Sequence, residues 1–147
     1  MDLEHPYCEF DPLTLATEAD LTIPGNVEAI PTAVDMIMAA IHELECADGK
    51  EFEIEVALTE ALANAVEHGC RHDPGKKVEV WVGCEHDRGL LIVVRDPGPG
   101  FDPAQIPSPV EGKQIYAQGG RGVYLINRLM DHVQYERGGT EIRMRKR

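Results

Sequence analysis

A short apolar run from Leu90 to Val94 constrains the fold of this chain more than any other feature. Turn residues precede it at Asp87-Arg88-Gly89, and Asp96 follows it directly before a proline. A nearly continuous apolar run of this length predicts a strand in the middle of a sheet, because both of its faces are suited to burial. The fold must therefore supply strands on either side of this one.

Alternating apolar residues predict the neighbouring strands. Residues 18–24 can form a first strand that ends at Pro24-Gly25-Asn26. The other alternating positions are Val78, Val80, Val82 and Cys84 in one strand, Val133 and Tyr135 in a second, and Thr140, Ile142 and Met144 in a third. Gly138-Gly139 lies between the last two strands, as expected for a hairpin turn.

Three further stretches have the three-and-four spacing of a helix with one buried face. Their apolar positions are Ile30, Val34, Ile37, Ile41 and Leu44; then Ile54, Leu58, Ala61 and Ala65; and finally Val123, Ile126, Leu129 and Met130. Pro31 suits the start of the first helix, where its missing N–H costs little. The second should run from about residue 53 to residue 68 and end at Gly69, which is free to adopt a left-handed conformation.

Together these elements predict an α+β fold, a two-layer sandwich of three main helices packed on a mixed, mostly antiparallel sheet. Residues 1–17 contain two prolines and no clear period, and we expect a loose lead-in there, so that the domain proper covers residues 18–147. Residues 97–119 are rich in proline and glycine, and a loop of this length inside a compact domain is usually functional.

Charge and cysteine content exclude several classes of protein. The formal net charge of -12 repels a phosphate backbone and disfavours general nucleic-acid binding. No apolar stretch is long enough for a membrane span, and the first residues lack the basic start of a signal peptide. The four cysteines, Cys8, Cys46, Cys70 and Cys84, are scattered, which favours reduced thiols in a cytoplasmic protein over a disulfide framework or a zinc site. The basic residues of the tail, which we interpret as the exposed face of a last strand, are Arg143, Arg145, Lys146 and Arg147.

The second helix carries a first candidate functional pair, Glu60 and Asn64. They are four residues apart, so they point in the same direction, at the edge of the apolar face. A carboxylate and an amide oxygen at this spacing suit a hard cation such as Mg²⁺, or a base and a metal ligand side by side. The alternative is a helical surface pair with no function.

A second candidate is the segment Asp96-Pro97-Gly98-Pro99-Gly100, which directly follows the central strand. At the end of this strand the base of Asp96 is expected to be buried. A buried carboxylate requires a hydrogen-bond donor, and an adenine amino group is one. Gly98 and Gly100 would let a flat ligand lie close to the backbone. The alternative is an ordinary turn in which Asp96 caps its own backbone.

The third candidate is the segment Gly119-Gly120-Arg121-Gly122, directly before the third helix. Glycines at a helix start let backbone N–H groups point at an anion, and phosphate is the usual ligand. No Gly-Lys-Ser/Thr sequence follows, so this is not the lysine-containing phosphate loop. Arg121 either contacts a phosphate or faces solvent. The alternative for the whole segment is a flexible hinge before a helix.

The three segments in this order resemble the GHKL superfamily of ATPases and kinases, whose domain has the Bergerat fold. Glu60-x-x-x-Asn64 resembles the N box of that superfamily, and Asp96-x-Gly98-x-Gly100 resembles its first glycine box. Gly120-x-Gly122 resembles the second glycine box. The resemblance further implies that Thr140 helps to hold the adenine, that residues 97–119 form the ATP lid, and that ATP, ADP and Mg²⁺ are the cofactors.

Within that superfamily the chain is most similar to the bacterial anti-sigma serine kinases, through residues 60–69 and 122–131. This resemblance implies a serine/threonine protein kinase in which Asn64 holds Mg²⁺ and Glu60 is the general base. Its substrate would be a small anti-sigma-antagonist (STAS-like) protein, a sigma factor would be a second partner, and a homodimer is expected. His68 is expected to have a capping or packing role.

Two features of the sequence depart from that group of kinases. Arg121 stands between the glycines where those kinases usually have an apolar residue. The first helix of those kinases usually offers a basic residue to the sigma factor, whereas residues 26–31 contain neither lysine nor arginine. This second departure argues against a sigma-factor contact at the start of the first helix. Independently of it, the alternative function for the chain is a nucleotide-dependent protein-binding switch without significant kinase turnover.

Overall fold

The structure, a computed structural model, describes residues 17–47, 49–71, 73, 75–85, 89–99 and 120–147. Residues 1–16 of the predicted lead-in, and residues 100–119 of the proposed ATP lid, Gly100 among them, lie outside the described residues. Thr17, the last residue of the predicted lead-in, is the first residue of a strand. No helix of the described residues is long and apolar enough to cross a membrane.

The described chain forms an antiparallel sheet with three α-helices on one face. The elements in chain order are β1 Thr17–Pro24, α1 Ile30–Leu44, α2 Glu51–Asn64, β2 Lys77–Glu85, β3 Gly89–Arg95, α3 Gly120–Leu129, β4 His132–Glu136 and β5 Glu141–Lys146. A π-helical turn, Ala65–Gly69, continues α2. The strand order is β1-β2-β3-β5-β4, and every pairing is antiparallel. The predicted α+β fold is confirmed.

The core lies between the helices and one face of the sheet. The predicted apolar positions of α1 and α2 are almost all in it, together with alternate residues of the strands. The core residues with the largest fully buried side chains are Ile41, Ile54, Leu58, Leu62, Leu90, Ile92, Ile126 and Met144. Burial of each such side chain contributes about 1.5–3 kcal/mol, so this single layer supplies most of the driving force for the fold.

The predicted central strand is β3, which pairs with β2 on one side and β5 on the other. All five of its apolar residues from Leu90 to Val94 are buried. Leu90, Ile92 and Val94 belong to the helix-side core, whereas Leu91 and Val93 point to the opposite face of the sheet, which we call the outer face.

The interpretation of the basic tail as an exposed strand face is wrong for three of its four residues. Arg145 is 0% exposed, Lys146 is 8% exposed, and Arg143 is half-buried; Arg147 alone is exposed. Lys146 points to the helix side, where its Nζ donates to the carbonyl oxygen of Leu129 at 2.5 Å and pairs with Glu53 at 2.6 Å. A lysine that donates to a carbonyl group at the C-terminal end of a helix stabilises that end. Lys146 therefore stabilises the end of α3.

Candidate functional site

Asp96 stands at the end of β3 and is held there by two hydrogen bonds of its own. Its backbone N–H donates to the carbonyl oxygen of Thr140 at 2.8 Å, which continues the ladder between β3 and β5. Its Oδ1 accepts from the backbone N–H of Gly98 at 2.8 Å. The structure thus brings together Asp96, Gly98 and Thr140, three of the residues that the sequence singled out.

The end of the α2 helix lies directly against this carboxylate. A Cβ added to Gly69 would lie 2.2 Å from Cγ of Asp96, and one added to Gly98 would lie 2.6 Å from Cα of Gly69. Cβ atoms essentially never approach so closely, so a side chain at either glycine would displace its neighbours. We call Gly69, Asp96, Gly98 and Thr140 the Asp96 cluster.

The sequence placed Gly69 correctly as the end of the helix, but for the wrong reason. The glycines with positive φ in the described chain are Gly49, Gly89, Gly138 and Gly139, so Gly69 is not left-handed. It is needed because a larger residue would collide with Asp96. Helical spacing could not reveal this contact, because the partner lies on another element. A π-helical turn at this point is itself a signal, since such turns often occur at functional sites.

Burial raises the pKa of the Asp96 carboxyl above its ordinary value. The hydrogen bond from Gly98 and the nearby charge of His68 oppose that shift, but burial is the largest cause. His68, for which a capping or packing role is expected, is exposed. The neighbouring thiol of Cys70 has its pKa raised as well, first by burial and then by the charge of Asp96. Burial therefore disfavours the charged forms of both Asp96 and Cys70.

Glu60 and Asn64 lie in the last turns of α2, for which the sequence predicted a position at the edge of the apolar face. Both are half-buried, and neither has a hydrogen-bond or ion-pair partner within the described part of the chain. Asn64 is the last residue of α2, and the π-helical turn carries the helix on to Gly69. At the rise of a helix, Asn64 is about 7 Å along the axis from Gly69, and Glu60 is a further turn away. The pair and the cluster therefore share one helix end.

The third segment lies inside a helix rather than before one. α3 begins at Gly120, so Gly120, Arg121 and Gly122 form its first turn, and α3 packs against α2. The side chain of Arg121 lies outside the described residues, so both interpretations of it stay predictions. In the cluster itself, Oγ1 of Thr140 donates to the carbonyl oxygen of Arg137 at 2.8 Å, so this hydroxyl offers lone pairs rather than its proton to a ligand.

A metal ion would find few ligands here from the protein. Among the described residues, no three histidine, cysteine or acidic side chains are grouped to hold one. Asn64 and Glu60 offer oxygen atoms, which suit Mg²⁺, and Mg²⁺ commonly takes one or two protein oxygens together with substrate phosphates and water. The donor set therefore fits Mg²⁺ that arrives with a nucleotide, and it does not fit a metal cage built by the protein alone.

The described residues thus bring together a half-buried carboxylate at a strand end and the end of the helix that carries Glu60 and Asn64. The sequence profile of the histidine kinase-like ATPase domain matches residues 23–146, and the chain belongs to that family. The domain binds ATP, as expected for this family.

Similar proteins narrow this assignment. The chain is 32% identical over 135 residues to serine-protein kinase RsbW of Bacillus subtilis strain 168, with 84% of each chain covered. It is 36% identical over 125 residues to serine-protein kinase RsbW of Bacillus cereus strain AH187, with 78% of this chain and 74% of the relative covered. The predicted resemblance and the predicted enzyme class, an ATP-dependent protein serine/threonine kinase, are confirmed.

Proposed function

We propose that this protein binds ATP with Mg²⁺ beside the Asp96 cluster and transfers the γ-phosphoryl group to a serine or threonine hydroxyl of a regulatory partner protein. The observation that carries the proposal is the state of Asp96. Its carboxylate is half-buried and has one hydrogen-bond donor, Gly98, within the described residues. A buried carboxylate in that condition gains from any ligand that brings another donor.

At the adenine end, the Asp96 carboxylate would accept a hydrogen bond from the exocyclic amino group of the base. Gly98 and Gly100 lack side chains and would let the base lie against the backbone. Thr140 would contribute a lone pair of its hydroxyl, since its proton is directed at Arg137. The Asp96 contact would distinguish adenine from guanine, because guanine presents a carbonyl oxygen where adenine has its amino group.

At the phosphate end, Asn64 would hold Mg²⁺, and the first turn of α3 would face the phosphates with Gly120, Arg121 and Gly122. Backbone N–H groups at a helix start favour anions. When bound, Mg²⁺ offsets the negative charge that the phosphate oxygens carry during transfer. The α2–α3 contact supports this arrangement, because it brings the helix with Asn64 against the helix that begins at Gly120.

For the chemical step, Glu60 is the proposed general base. It lies one helical turn from Asn64 and would accept the proton of the attacking hydroxyl. Its side chain makes no ion pair or hydrogen bond within the described chain, so an interaction with a substrate hydroxyl would not compete with a structural one.

The proposed partner is an anti-sigma-antagonist protein of the STAS-like kind, with a sigma factor as second partner and a homodimer as the working form. The names of the relatives support a protein as the phosphate acceptor, since both are serine-protein kinases. The proposed location is the cytoplasm, where the free thiols of Cys46, Cys70 and Cys84 stay reduced. The proposed ATPase domain covers residues 18–147, with its lid at 97–119.

The binding half is tested by melting the protein with and without ADP and Mg²⁺. A ligand that binds the native state alone stabilises it by about 2.7 kcal/mol at a hundredfold excess over Kd. We expect a rise in melting temperature with ADP and a much smaller one with GDP. No rise at millimolar ADP would exclude the nucleotide site.

The catalytic half is tested with Glu60→Ala, compared with Glu55→Ala, which removes an exposed glutamate from the same helix. We expect Glu60→Ala to keep the nucleotide affinity of the parent and to lower single-turnover transfer to the antagonist protein by about 10²–10⁴-fold. Glu55→Ala should resemble the parent. Full nucleotide affinity without transfer in the parent itself would favour the alternative, a nucleotide-dependent binding switch.

A further inference from the structure

Lys146 occupies a position of the sheet where the strand pattern calls for an apolar residue. It follows Ile142 and Met144 on the helix-side face of β5, and its partner on the adjacent strand is the buried Leu90. Lys146 is itself buried. Burial of an ammonium group costs free energy unless the charge is paired, and an apolar residue would fill this place without that cost. A lysine here therefore indicates a contact that needs a hydrogen-bonding cation.

The ammonium group of Lys146 joins three elements of the fold. From β5 it donates to the carbonyl oxygen of Leu129, the last residue of α3, at 2.5 Å. It also pairs at 2.6 Å with the carboxylate of Glu53, which lies in the first turn of α2. One group thus contacts the start of α2 and the end of α3, so these two helix ends lie side by side.

The backbone of the chain end holds the turn that follows α3. The N–H of Asp131 donates to the carbonyl oxygen of Arg145 at 2.9 Å, and Oδ2 of Asp131 accepts from the N–H of Arg147 at 2.7 Å. Lys146 lies between those two arginines in the chain. The end of α3 is therefore anchored to the last strand, and Lys146 adds the contact that joins this anchored end to α2.

This contact at one end of the helix pair determines what meets at the other end. Because α2 and α3 also pack against each other, two helices whose opposite ends meet at Lys146 run antiparallel. Along its axis α2 rises about 16 Å from Glu53 to Asn64, and α3 extends about 14 Å from Leu129 back to Gly120. Gly120 therefore lies at about the level of Asn64 along the helix pair.

Apolar packing between α2 and α3 is non-directional, and it leaves the position of one helix along the other loosely specified. A hydrogen bond has a defined length and angle, so it fixes that position. We propose that Lys146 is a positioning residue for the phosphate end of the nucleotide site. By holding the end of α3 against α2, it sets the height of Gly120, and of the N–H groups in the first turn of α3, relative to Asn64. Lys146 acts through the helices, about 14 Å from the start of α3, and does not touch the nucleotide. The inference rests on the proposed function.

Lys146→Met tests the proposal, because methionine keeps an apolar side chain and removes the ammonium group. Calorimetry with Mg²⁺, at a temperature where each protein is fully folded, measures the affinity for ADP, and competition with bound ADP measures the affinity for adenosine. We expect the ADP affinity to fall about tenfold, whereas the affinity for adenosine, which has no phosphate, stays within about twofold of the parent. Lys77→Met removes an exposed lysine of β2 and should bind both ligands as the parent does.

The ratio of the two affinities separates positioning from stability. A lysine that serves the fold alone would lower the melting temperature of the variant and leave this ratio unchanged. Parental ADP affinity in Lys146→Met, or an equal fall for ADP and adenosine, would overturn the inference and leave the proposed function standing. A parent protein that does not bind ADP would instead remove the proposed function, and the inference with it.

Glu53→Gln decides the case if Lys146→Met does not fold. It removes the link to α2, keeps the hydrogen bond to Leu129, and lies about 16 Å along the helix from Asn64, too far to touch the ligand. We expect the ADP affinity to fall about threefold and the adenosine affinity to stay parental. The control Glu55→Gln removes an exposed glutamate of the same helix and should change neither.

A combined variant tests whether the two residues act together. Since Glu53 acts through Lys146, the double variant should bind ADP no more weakly than Lys146→Met alone. An ADP-to-adenosine ratio in Glu53→Gln equal to that of Glu55→Gln would contradict the link through α2, as would a double variant in which the two losses simply multiply.

Discussion

The carboxylates of Glu141 and Asp96 lie near each other at one end of the sheet, but they differ in their hydrogen-bond and ion-pair partners. Glu141 begins β5, is 1% exposed, and faces the outer side of the sheet. Its Oε1 accepts from Nε of Arg95 at 2.7 Å, and its Oε2 accepts from Nε of Arg143 at 2.7 Å. Arg95 is itself stacked on Trp81. This carboxylate is fully committed to the fold.

Asp96 lies one step further along the same ladder, where its N–H meets Thr140. It has the N–H of Gly98 as a donor and no ion pair within the described residues, and burial raises its pKa. The difference agrees with the proposed ligand-binding role of Asp96. The carboxylate that holds strands together is paired with two cations, whereas the proposed adenine-binding carboxylate has few donors, at a small cost in stability.

The largest effect is expected for Glu141→Gln. The substitution leaves Arg95 and Arg143 facing each other without a carboxylate, and removal of one member of a buried ionic cluster lowers the free energy of unfolding by about 3 kcal/mol. Urea unfolding measures the loss. The affinity of the remaining folded protein for ADP should be unchanged. The ion-paired side chains of Glu141, Arg95 and Arg143 lie on the outer face of the sheet, whereas the proposed nucleotide site lies on the helix side.

Glu79→Gln is the control for Glu141→Gln. Glu79 is an exposed acidic residue of β2, and it lies on the same face of the sheet as Glu141. Its loss should change the free energy of unfolding by no more than about 0.5 kcal/mol. If Glu141→Gln is as mild as this control, the division between a structural and a ligand-binding carboxylate is incorrect.

Gly69→Ala should have the next largest effect and should act on both stability and binding. The new methyl group must displace Asp96, and forced overpacking of this kind costs about 1–3 kcal/mol. A displaced Asp96 should also bind adenine nucleotides less well, and the preference for ADP over inosine diphosphate should shrink. Calorimetry with both nucleotides measures this preference, which a general loss of stability would not change.

Gly75→Ala serves as the matched control for Gly69→Ala. Gly75 is exposed, has no positive φ, and its nearest contact for an added Cβ is Oδ1 of Asp73 at 3.2 Å. Its effect on nucleotide preference should be nil. An unchanged ADP-to-IDP ratio in Gly69→Ala would show that the contact between Gly69 and Asp96 serves packing alone.

Asp96→Asn should give the smallest change in stability, and of the opposite sign. The amide keeps an oxygen for the Gly98 N–H but removes the buried charge, so the nucleotide-free protein should melt at a slightly higher temperature. Affinity for ADP should fall on the order of tenfold, since a lost charge-assisted hydrogen bond costs about 1–2 kcal/mol. Equal ADP affinity in parent and variant would reduce Asp96 to a turn cap.

The same substitution predicts a difference in pH dependence. The pKa of Asp96 is raised in the folded state, so the folded protein binds this proton more tightly than the unfolded chain does. The stabilisation is fully present below the ordinary carboxyl pKa of 3.8 and is lost as pH rises through the raised value. The difference in melting temperature between Asp96→Asn and the parent should therefore grow with pH across this window and then stay constant.

Local sequence patterns predicted the elements of this fold well. The apolar run from Leu90 to Val94 is the central strand, and the positions Ile54, Leu58, Ala61 and Ala65 of α2 are buried. The candidate functional residues could also be identified, because Glu60, Asn64 and Asp96 are polar residues at defined offsets from those patterns. Such features depend on residues close together in the chain, and the period of a helix or strand is enough to predict them.

The errors concern contacts between elements. The sequence pattern predicts a left-handed helix end at Gly69, whereas the residue has no positive φ and lies against Asp96. The pattern also predicts an exposed Arg145, whereas this residue is 0% exposed. In both cases the residue has the right local pattern, and the deciding neighbour lies on a different part of the chain.

The amino-acid sequence by itself determined where the helices and strands form, which side chains face the helix-side core, and which polar residues stand at the ends of elements. The tertiary structure alone decided that the end of α2 meets Asp96, that Glu141 is held between two arginines, and that Arg145 is buried. Periodicity predicts which way a side chain points, but whether that direction leads to solvent or to another segment depends on long-range packing, where steric fit and desolvation are set.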